Sequence, residues 1–477
     1  MAYAPHYDPS VRHSTLGEGF FDVVEPADFP RHTIRYRNDR AAGPVGLATL
    51  SDAEWIEHFA RFTPLEGSLA QPLALRYHGH QFRQYNPDLG DGRGFLFAQL
   101  HDDTGRLLDL GTKGSGQTPW SRQGDGRLTL KGGVREVLAT EMLEALGVNT
   151  SRSFSLIETG EALMRGDEPS PTRSSVLVRL SHSHIRIGTF QRLAYLQDKE
   201  KLVKLLDYAV ATYMPDCERP DQAAKALAFL ETVCRQVART GAQWMAAGFV
   251  HGVLNTDNIN ITGESFDYGP WRFLPVLDPS FTAAYFDQTG LYAFGRQPET
   301  LFWNLARLAE CLLPLVGQPE LERVLSDFPD MYRRAFDRQL LARLGLVATD
   351  GQCDRDLAEA FWRFLAASAL PFERVFFDWH GGEASAARAE RSPHADIYAG
   401  AEFSEVRRLM AQFATRSVPD AASDYFDGSA PCTMLVDEVE RIWSFIDEND
   451  DWTAFHEKCS QIAAMRKALG LEGEALG

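Results

Sequence analysis

Asp257 and Asn258 stand side by side in His251-Gly252-Val253-Leu254-Asn255-Thr256-Asp257-Asn258, and Asp267 follows nine residues later in the triplet Asp267-Tyr268-Gly269. A carboxylate and a carboxamide supply the hard oxygen donors that Mg²⁺ takes from protein, with phosphate and water completing its shell. A second carboxylate beside them can accept the proton of an attacking hydroxyl. The chemistry this spacing suggests is transfer of a group from a nucleotide phosphate.

Such a site needs cations for the phosphates and a frame to hold them. Gly90-Asp91-Gly92-Arg93-Gly94 runs into a predicted strand at 95–100, and after a turn at 102–105 a second strand at 107–113 ends on Lys113. Glycines let backbone N–H groups approach phosphate, and Lys113 adds a point charge. A predicted amphipathic helix at 134–146, stopped by Gly147, carries Glu136 in its first turn. Glu136 either offsets the helix dipole or pairs with Lys113, as a strand lysine and a helix glutamate do in protein kinases. The order glycine loop, lysine, glutamate favours the pair. Gly124-Asp125-Gly126-Arg127, between strand and helix, reads by itself only as a loop.

Two further strands are expected at 154–157 and 176–180. Alternation puts Val176, Val178 and Leu180 on one face and Leu177 with Arg179 on the other. Arg179 is then a cation on a central strand, with Arg186 seven residues on. A buried guanidinium needs an anion, so the two arginines point to a phosphate site; the alternative is one surface arginine and one structural ion pair. His251 and Asn258 keep the spacing of a kinase catalytic loop, and Asp267-Tyr268-Gly269 can serve as its D-F-G triplet. Val253 replaces the kinase base, and Asp257 is the acid that remains. The gap from Asn258 to Asp267 suits a tight hairpin with Gly263 near its tip.

The chain has 477 residues, 44% of them hydrophobic, enough for a large core and about three domains by length. Its net charge of −18 argues against nucleic-acid or anionic-membrane binding. No apolar run is long enough to span a membrane, and Met1-Ala2-Tyr3-Ala4-Pro5-His6 lacks a signal-peptide layout. Six cysteines without metal or disulfide spacing fit buried thiols in a reducing compartment, so a cytoplasmic protein is expected. Ser51 and Glu54 form a capping box for a helix near the N-terminus. His78 and His80 could form a metal pair, but without a third ligand they read as structural histidines. From about residue 190 the pattern turns helical, with stripes at 200–214, 221–247 and 298–317, the last started by Pro298.

Over roughly 75–310 the chain resembles the selenoprotein O family of kinase-like proteins. The likeness rests on Gly79-His80-Gln81-Phe82, Leu89-Gly90-Asp91-Gly92-Arg93, Asp109 to Gly116, Arg135-Glu136, Val178-Arg179, His184 to Phe190, His251 to Asn258, Asp267-Tyr268-Gly269-Pro270, Gln297-Pro298 and Trp303-Asn304-Leu305. It implies an α+β, protein-kinase-like fold of two lobes: a β-rich N-lobe with a Gly-rich loop at 76–190 and a helical C-lobe at 191–370. An N-terminal extension at 1–75 and a partly helical C-terminal appendage at 371–477 would flank them.

The same resemblance implies protein AMPylation, in which ATP binds flipped and presents its α-phosphorus to a protein hydroxyl. Lys113, held by Glu136, would grip the phosphates with Arg179 and Arg186. Gly90, Gly92, Arg93, Asp125 and Gly126 would line the nucleotide, and Asp267 would contact it too. Asn258 and Asp267 would hold Mg²⁺, with Mn²⁺ as an alternative, and Asp257 would be the base. The acceptors would be Ser, Thr or Tyr hydroxyls of proteins, this chain itself among them. A conventional phosphotransferase and an inert nucleotide-binding module are the competing readings. The chain departs from the family's pattern at Arg83, where Gly is usual, at Ala283, where many relatives have Cys, and in its last hundred residues, which end without the family's Cys or selenocysteine. Transfer insensitive to reductant is therefore expected.

Overall fold

The computed structural model describes residues 3–166, 168–417 and 424–471. Its first part is built on one sheet. The strands are β1 (Asp8–Ser10), β2 (Phe21–Val23), β3 (Thr33–Arg37), β4 (Leu73–Leu75), β5 (Gly79–Gln81), β6 (Gln84–Asn86), β7 (Leu96–His101), β8 (Leu107–Lys113), β9 (Leu128–Thr129), β10 (Arg152–Leu163) and β11 (Thr172–Ser181). The sheet runs β2-β4-β7-β8-β11-β10-β3, with β1 on β7 and β9 on β11, while β5 and β6 form a separate hairpin. Residues before position 76 thus contribute four strands to the sheet that carries Lys113. The strands expected at 154–157 and 176–180 are the inner parts of the longer β10 and β11, which pair with each other.

The two faces of the sheet bury different cores. Val176, Val178 and Leu180 pack with Trp55, Phe59, Phe97 and Phe154, whereas Leu177 faces the core beneath the helices. Each such buried side chain contributes about 1.5–3 kcal/mol. The first face is closed by α1 (Asp39–Ala42) and α2 (Asp52–Phe59). Ser51 and Glu54 make the expected capping box on α2, and Trp55 donates its Nε1–H to Ser155 Oγ at 2.8 Å.

The second face receives α3 (Leu130–Ala145), which differs from expectation in two ways. It begins four residues early, capped by Thr129, whose hydroxyl accepts from Gly132 N–H. Glu136 therefore lies in the second turn, too far in for the dipole explanation. The helix is also buried nearly all round, Glu136, Glu141 and Glu144 included, instead of being amphipathic.

The rest is helical. α4 (Ile187–Tyr195), α5 (Lys199–Tyr213), α6 (Gln222–Ala246) and α7 (Gln297–Cys311) continue the second core. Pro298 sits in the first turn of α7, which ends six residues short of the expected 317. Two short strands, β12 (Phe249–Val250) and β13 (Arg272–Phe273), bracket the catalytic stretch. No hairpin joins Asn258 to Asp267. Asn260 bridges to Arg186 and Ser265 to Thr150 instead, so the segment is held by two outside partners. Gly263, at φ +69°, is still a turn residue, and an added Cβ would meet the backbone of Gln236 at 2.8 Å.

A further helical layer holds α8 (Gln318–Ser326), α9 (Phe328–Arg343), α10 (Gln352–Ser368), α11 (Phe372–Trp379), α12 (Ala386–Glu390), α13 (Ala395–Tyr398) and α14 (Ala401–Met410). Finally α15 (Val436–Asn449) and α16 (Thr453–Leu469) return to α3, and α16 packs along it. The chain's last residues, 472–477, lie outside the described residues. No helix among the described residues is long and apolar enough to cross a membrane.

Candidate active site

Lys113 and Arg179 project from neighbouring strands. Lys113 is registered opposite Leu177, two positions from Arg179, so both side chains leave the same face of the sheet. Beneath them Glu136 binds Lys113 Nζ, and its second oxygen lies 3.9 Å from Arg179 Nη1. Asp267 meets the pair from the helical side, with Oδ1 2.8 Å from Lys113 Nζ and 3.3 Å from Arg179 Nη1. Burial alone would raise the Asp267 pKa, but Lys113, Arg179 and Arg93 hold its carboxyl well below the usual range. Its backbone is left-handed, φ +63°, a conformation that Asp tolerates better than most residues.

Arg186 and Asp257 form the other half. Arg186 is buried between the rings of Tyr77 and Phe266, at 4.2 and 5.1 Å, donates Nη1–H to the Asp257 carbonyl at 3.3 Å, and lies 3.5 Å from Asp91 Oδ1. Asp257 Oδ1 is buried without a hydrogen-bond partner among the described residues. Burial pushes the Asp257 carboxyl up to about 6, against the opposing pull of Arg186. Asn258 donates Nδ2–H to the Val253 carbonyl at 2.9 Å. That leaves its amide oxygen without a hydrogen bond among the described residues.

These donors fit a magnesium ion. The Asn258 oxygen is unengaged, only Oδ1 of Asp267 is taken by cations, and a cation that keeps phosphate and water ligands needs few protein oxygens.

Sequence reasoning gave the glycine loop too simple a role. An added Cβ on Gly90 would lie 2.4 Å from the Trp120 indole, and one on Gly92 2.8 Å from the Trp120 carbonyl. The glycines admit the segment 116–127 as well as any phosphate. Ser121 Oγ binds the Gly92 carbonyl at 2.6 Å, and Trp120 Nε1–H donates to Asp22 at 2.9 Å. The stretch around Asp125 and Gly126 is thereby laid over the cleft, with Asp125 paired to Arg165 at 2.7 Å. Gly94 is tighter still, since its Cβ would sit 2.0 Å from the Thr112 carbonyl. Gly94→Ala is expected to cost about 1–3 kcal/mol through overpacking, read as a lower midpoint in denaturant.

A cleft of about 710 Å³ lies between sheet and helices. Gly90, Gly92, Arg93, Lys113, Asp125, Gly126, Arg179, Arg186, Asp257, Asn258 and Asp267 all line it, and Glu136 stands behind Lys113. Sequence reasoning missed Tyr77, Asp91, Trp120, Arg122, Arg165 and Asn255, which share the wall. Arg122 could have been noticed as a charge next to a glycine turn, whereas Tyr77 is recognisable only once Arg186 is seen stacked on it.

His78 and His80 are structural, hydrogen-bonded to Tyr85 and Gln191, each at 2.7 Å. Arg83 adopts φ +63° in the β5–β6 turn, which accounts for a glycine preference at that position. It lies 3.2 Å from Glu299 and over the Trp303 ring. Ala283 is packed against the turn at Gly252, where an added Cβ would meet its own at 3.0 Å. All six cysteines are unpaired, and burial pushes the Cys432 and Cys459 thiols up to about 11 and about 12.

Comparison with known proteins identifies the family of the chain. Residues 4–463 match the family model described as protein adenylyltransferase SelO. A protein nucleotidyltransferase YdiU of Synechocystis is 44% identical over 474 residues, covering 96% of this chain and 97% of the relative. That of Gloeobacter violaceus is 45% identical, covering 96% and 94%. Among solved structures, ROP2 of Toxoplasma gondii, described as having a protein-kinase fold and no enzymatic activity, is matched at 12% identity and a TM-score of 0.24, covering 75% of this chain and 88% of that one. The kinase-like assignment of this α+β chain rests on the Lys113–Glu136–Asp267 arrangement rather than on that likeness. A family match spanning residues 4–463, with relatives 44–45% identical over nearly the whole chain, shows that the chain belongs to the SelO family of protein adenylyltransferases.

Proposed function

We propose that this chain transfers AMP from ATP to hydroxyl groups of proteins, itself included, with the triphosphate at the inner end of the cleft. The observation that carries this reading is the charge of that end. Lys113, Arg179 and Arg186 are buried there; a conventional kinase also keeps the lysine on phosphate, but it meets neutral adenine in the region of the two arginines, and buried guanidinium groups are best matched by phosphate oxygens. Gly90, Gly92, Arg93, Asp125 and Gly126 then line the nucleotide. Asn258 and Asp267 would hold Mg²⁺, or Mn²⁺ in its place, which when bound offsets charge on the phosphate oxygens. The family's chemistry makes ATP and a protein the two substrates; which proteins serve is part of this proposal only as a class, those presenting an accessible Ser, Thr or Tyr.

In the transfer step the acceptor oxygen bonds to the α-phosphorus, and the bond from that phosphorus to the bridging oxygen breaks. Pyrophosphate leaves with the bonding pair. The Asp257 carboxylate takes the hydroxyl proton, and Arg186, hydrogen-bonded to the Asp257 carbonyl, holds that residue in place. The cations of the inner end stabilise the charge that builds on the leaving group, the largest contribution in such reactions. ATP labelled at the α- or γ-phosphorus tests the assignment directly.

The raised pKa of Asp257 fixes the pH dependence. A base must be ionised, and this carboxyl is half ionised at about 6. Log kcat/KM for transfer is expected to rise with unit slope up to about pH 6 and then level. A profile level down to pH 4.5 would contradict the assignment of Asp257 as base.

A further inference from the structure

We propose that α15 and α16 clamp α3 from behind and so hold Glu136 against Lys113, with Arg466 as the positioning residue. Arg466 lies buried in the last turn of α16. It binds the Glu141 carboxylate, lies 3.7 Å from Glu144 Oε2, and donates to the Glu141 carbonyl at 3.3 Å. These two glutamates stand five and eight residues beyond Glu136 on the same helix. They are shared with Arg40, with Arg152 at 2.8 Å from Glu144, and with the Tyr36 hydroxyl at 2.7 Å from Glu141. Burial opposes ionisation of Glu144, yet its arginine partners hold the carboxyl at about 2.

The near half of α3 is gripped as well. Glu440 of α15 lies 2.6 Å from Lys131 and 3.8 Å from Arg135. The α15–α16 junction is pinned to the sheet through Asp450, 2.9 Å from Arg35 on β3 and 2.7 Å from Arg173 on β11. A lysine held by a helix glutamate is placed only when that helix is held in. Here the holding is done by a segment more than 300 positions away in sequence, and Arg466 does not line the cleft. The C-terminal helices thus serve nucleotide binding without touching the nucleotide.

This inference rests on the reading of Lys113 as a phosphate grip, so the test measures nucleotide affinity, which does not depend on which phosphate is transferred. Mg-ATP is titrated calorimetrically into the full chain, Arg466→Met, Glu136→Gln and the double variant, with hydrogen exchange followed over 130–145. Arg466→Met is expected to weaken affinity about tenfold and to lower protection in α3 while α6 keeps its own. In the Glu136→Gln background the same change should alter affinity less than about twofold, because both act through one contact. Equal losses in both backgrounds, or parent affinity with parent protection, would overturn the clamp. Unchanged affinity in Glu136→Gln alone would remove the reading of Lys113 and the clamp with it. Should Arg466→Met not fold, Asp450→Asn, at a half-exposed site, takes its place in the same cycle under the same criteria.

Discussion

Asp257→Ala is expected to cut transfer by about 10²–10⁴-fold, the usual contribution of a general base, while leaving Mg-ATP affinity within a few-fold of the parent. The reason is geometric. Oδ1 of Asp257 has no hydrogen-bond partner among the described residues, so its removal orphans nothing, and Lys113 and Arg179, which would meet the phosphates, pair with Asp267 and Glu136 instead of with it. Arg186 keeps its stacking on Tyr77 in the variant, since it binds only the backbone oxygen of residue 257. Calorimetry beside a transfer assay separates the two quantities. A loss of affinity equal to the loss of rate would mean that Asp257 serves binding instead.

Asp267→Ala should do the reverse. A unit charge about 4 Å from a cation at an effective dielectric of 20 is worth ~4 kcal/mol, or roughly a thousandfold in affinity, so the dependence of ATP binding on magnesium should vanish. Asp267 also neutralises Lys113 and Arg179. Its loss frees both for phosphate, and metal-free ATP should bind as well as, or better than, it does to the parent. Asp267→Asn gives the same pattern with less backbone strain, because Asn accepts the left-handed conformation found at 267. Binding that still tightens with magnesium in both variants would place the metal elsewhere.

The contrast between Lys113 and α3 shows what the sequence could carry. Lys113, Arg179 and Asp267 were legible because each is tied to a local pattern: a strand end, an alternation, a triplet. The start of α3 was not. Gly132 and Gly133 each cost a helix about 1 kcal/mol relative to Ala, so propensity places the start after them. In the fold an added Cβ on Gly133 would lie 2.4 Å from Leu156 and 2.8 Å from Ser175. The glycines are what lets the helix approach the sheet, and packing outweighs propensity. The burial of Glu141 and Glu144 was equally invisible, since two of their partners, Arg40 and Arg466, come from opposite ends of the chain and the third, Arg152, lies past the helix on β10. The loop carrying Asp125 read as a bare turn because Trp120, which seats it on Gly90, gives no signal of that contact in sequence.

AMP transfer and phosphoryl transfer differ in which phosphorus reaches the acceptor. The deciding measurement incubates the chain with Mg²⁺ and ATP labelled at either the α- or the γ-phosphorus and follows label into protein, its own chain included. With the triphosphate drawn to the buried Lys113, Arg179 and Arg186, label should arrive from the α position, with release of pyrophosphate, and should be lost in Asp257→Ala. Label arriving only from the γ position would contradict the account, and label from neither would leave a nucleotide-binding module without transfer activity.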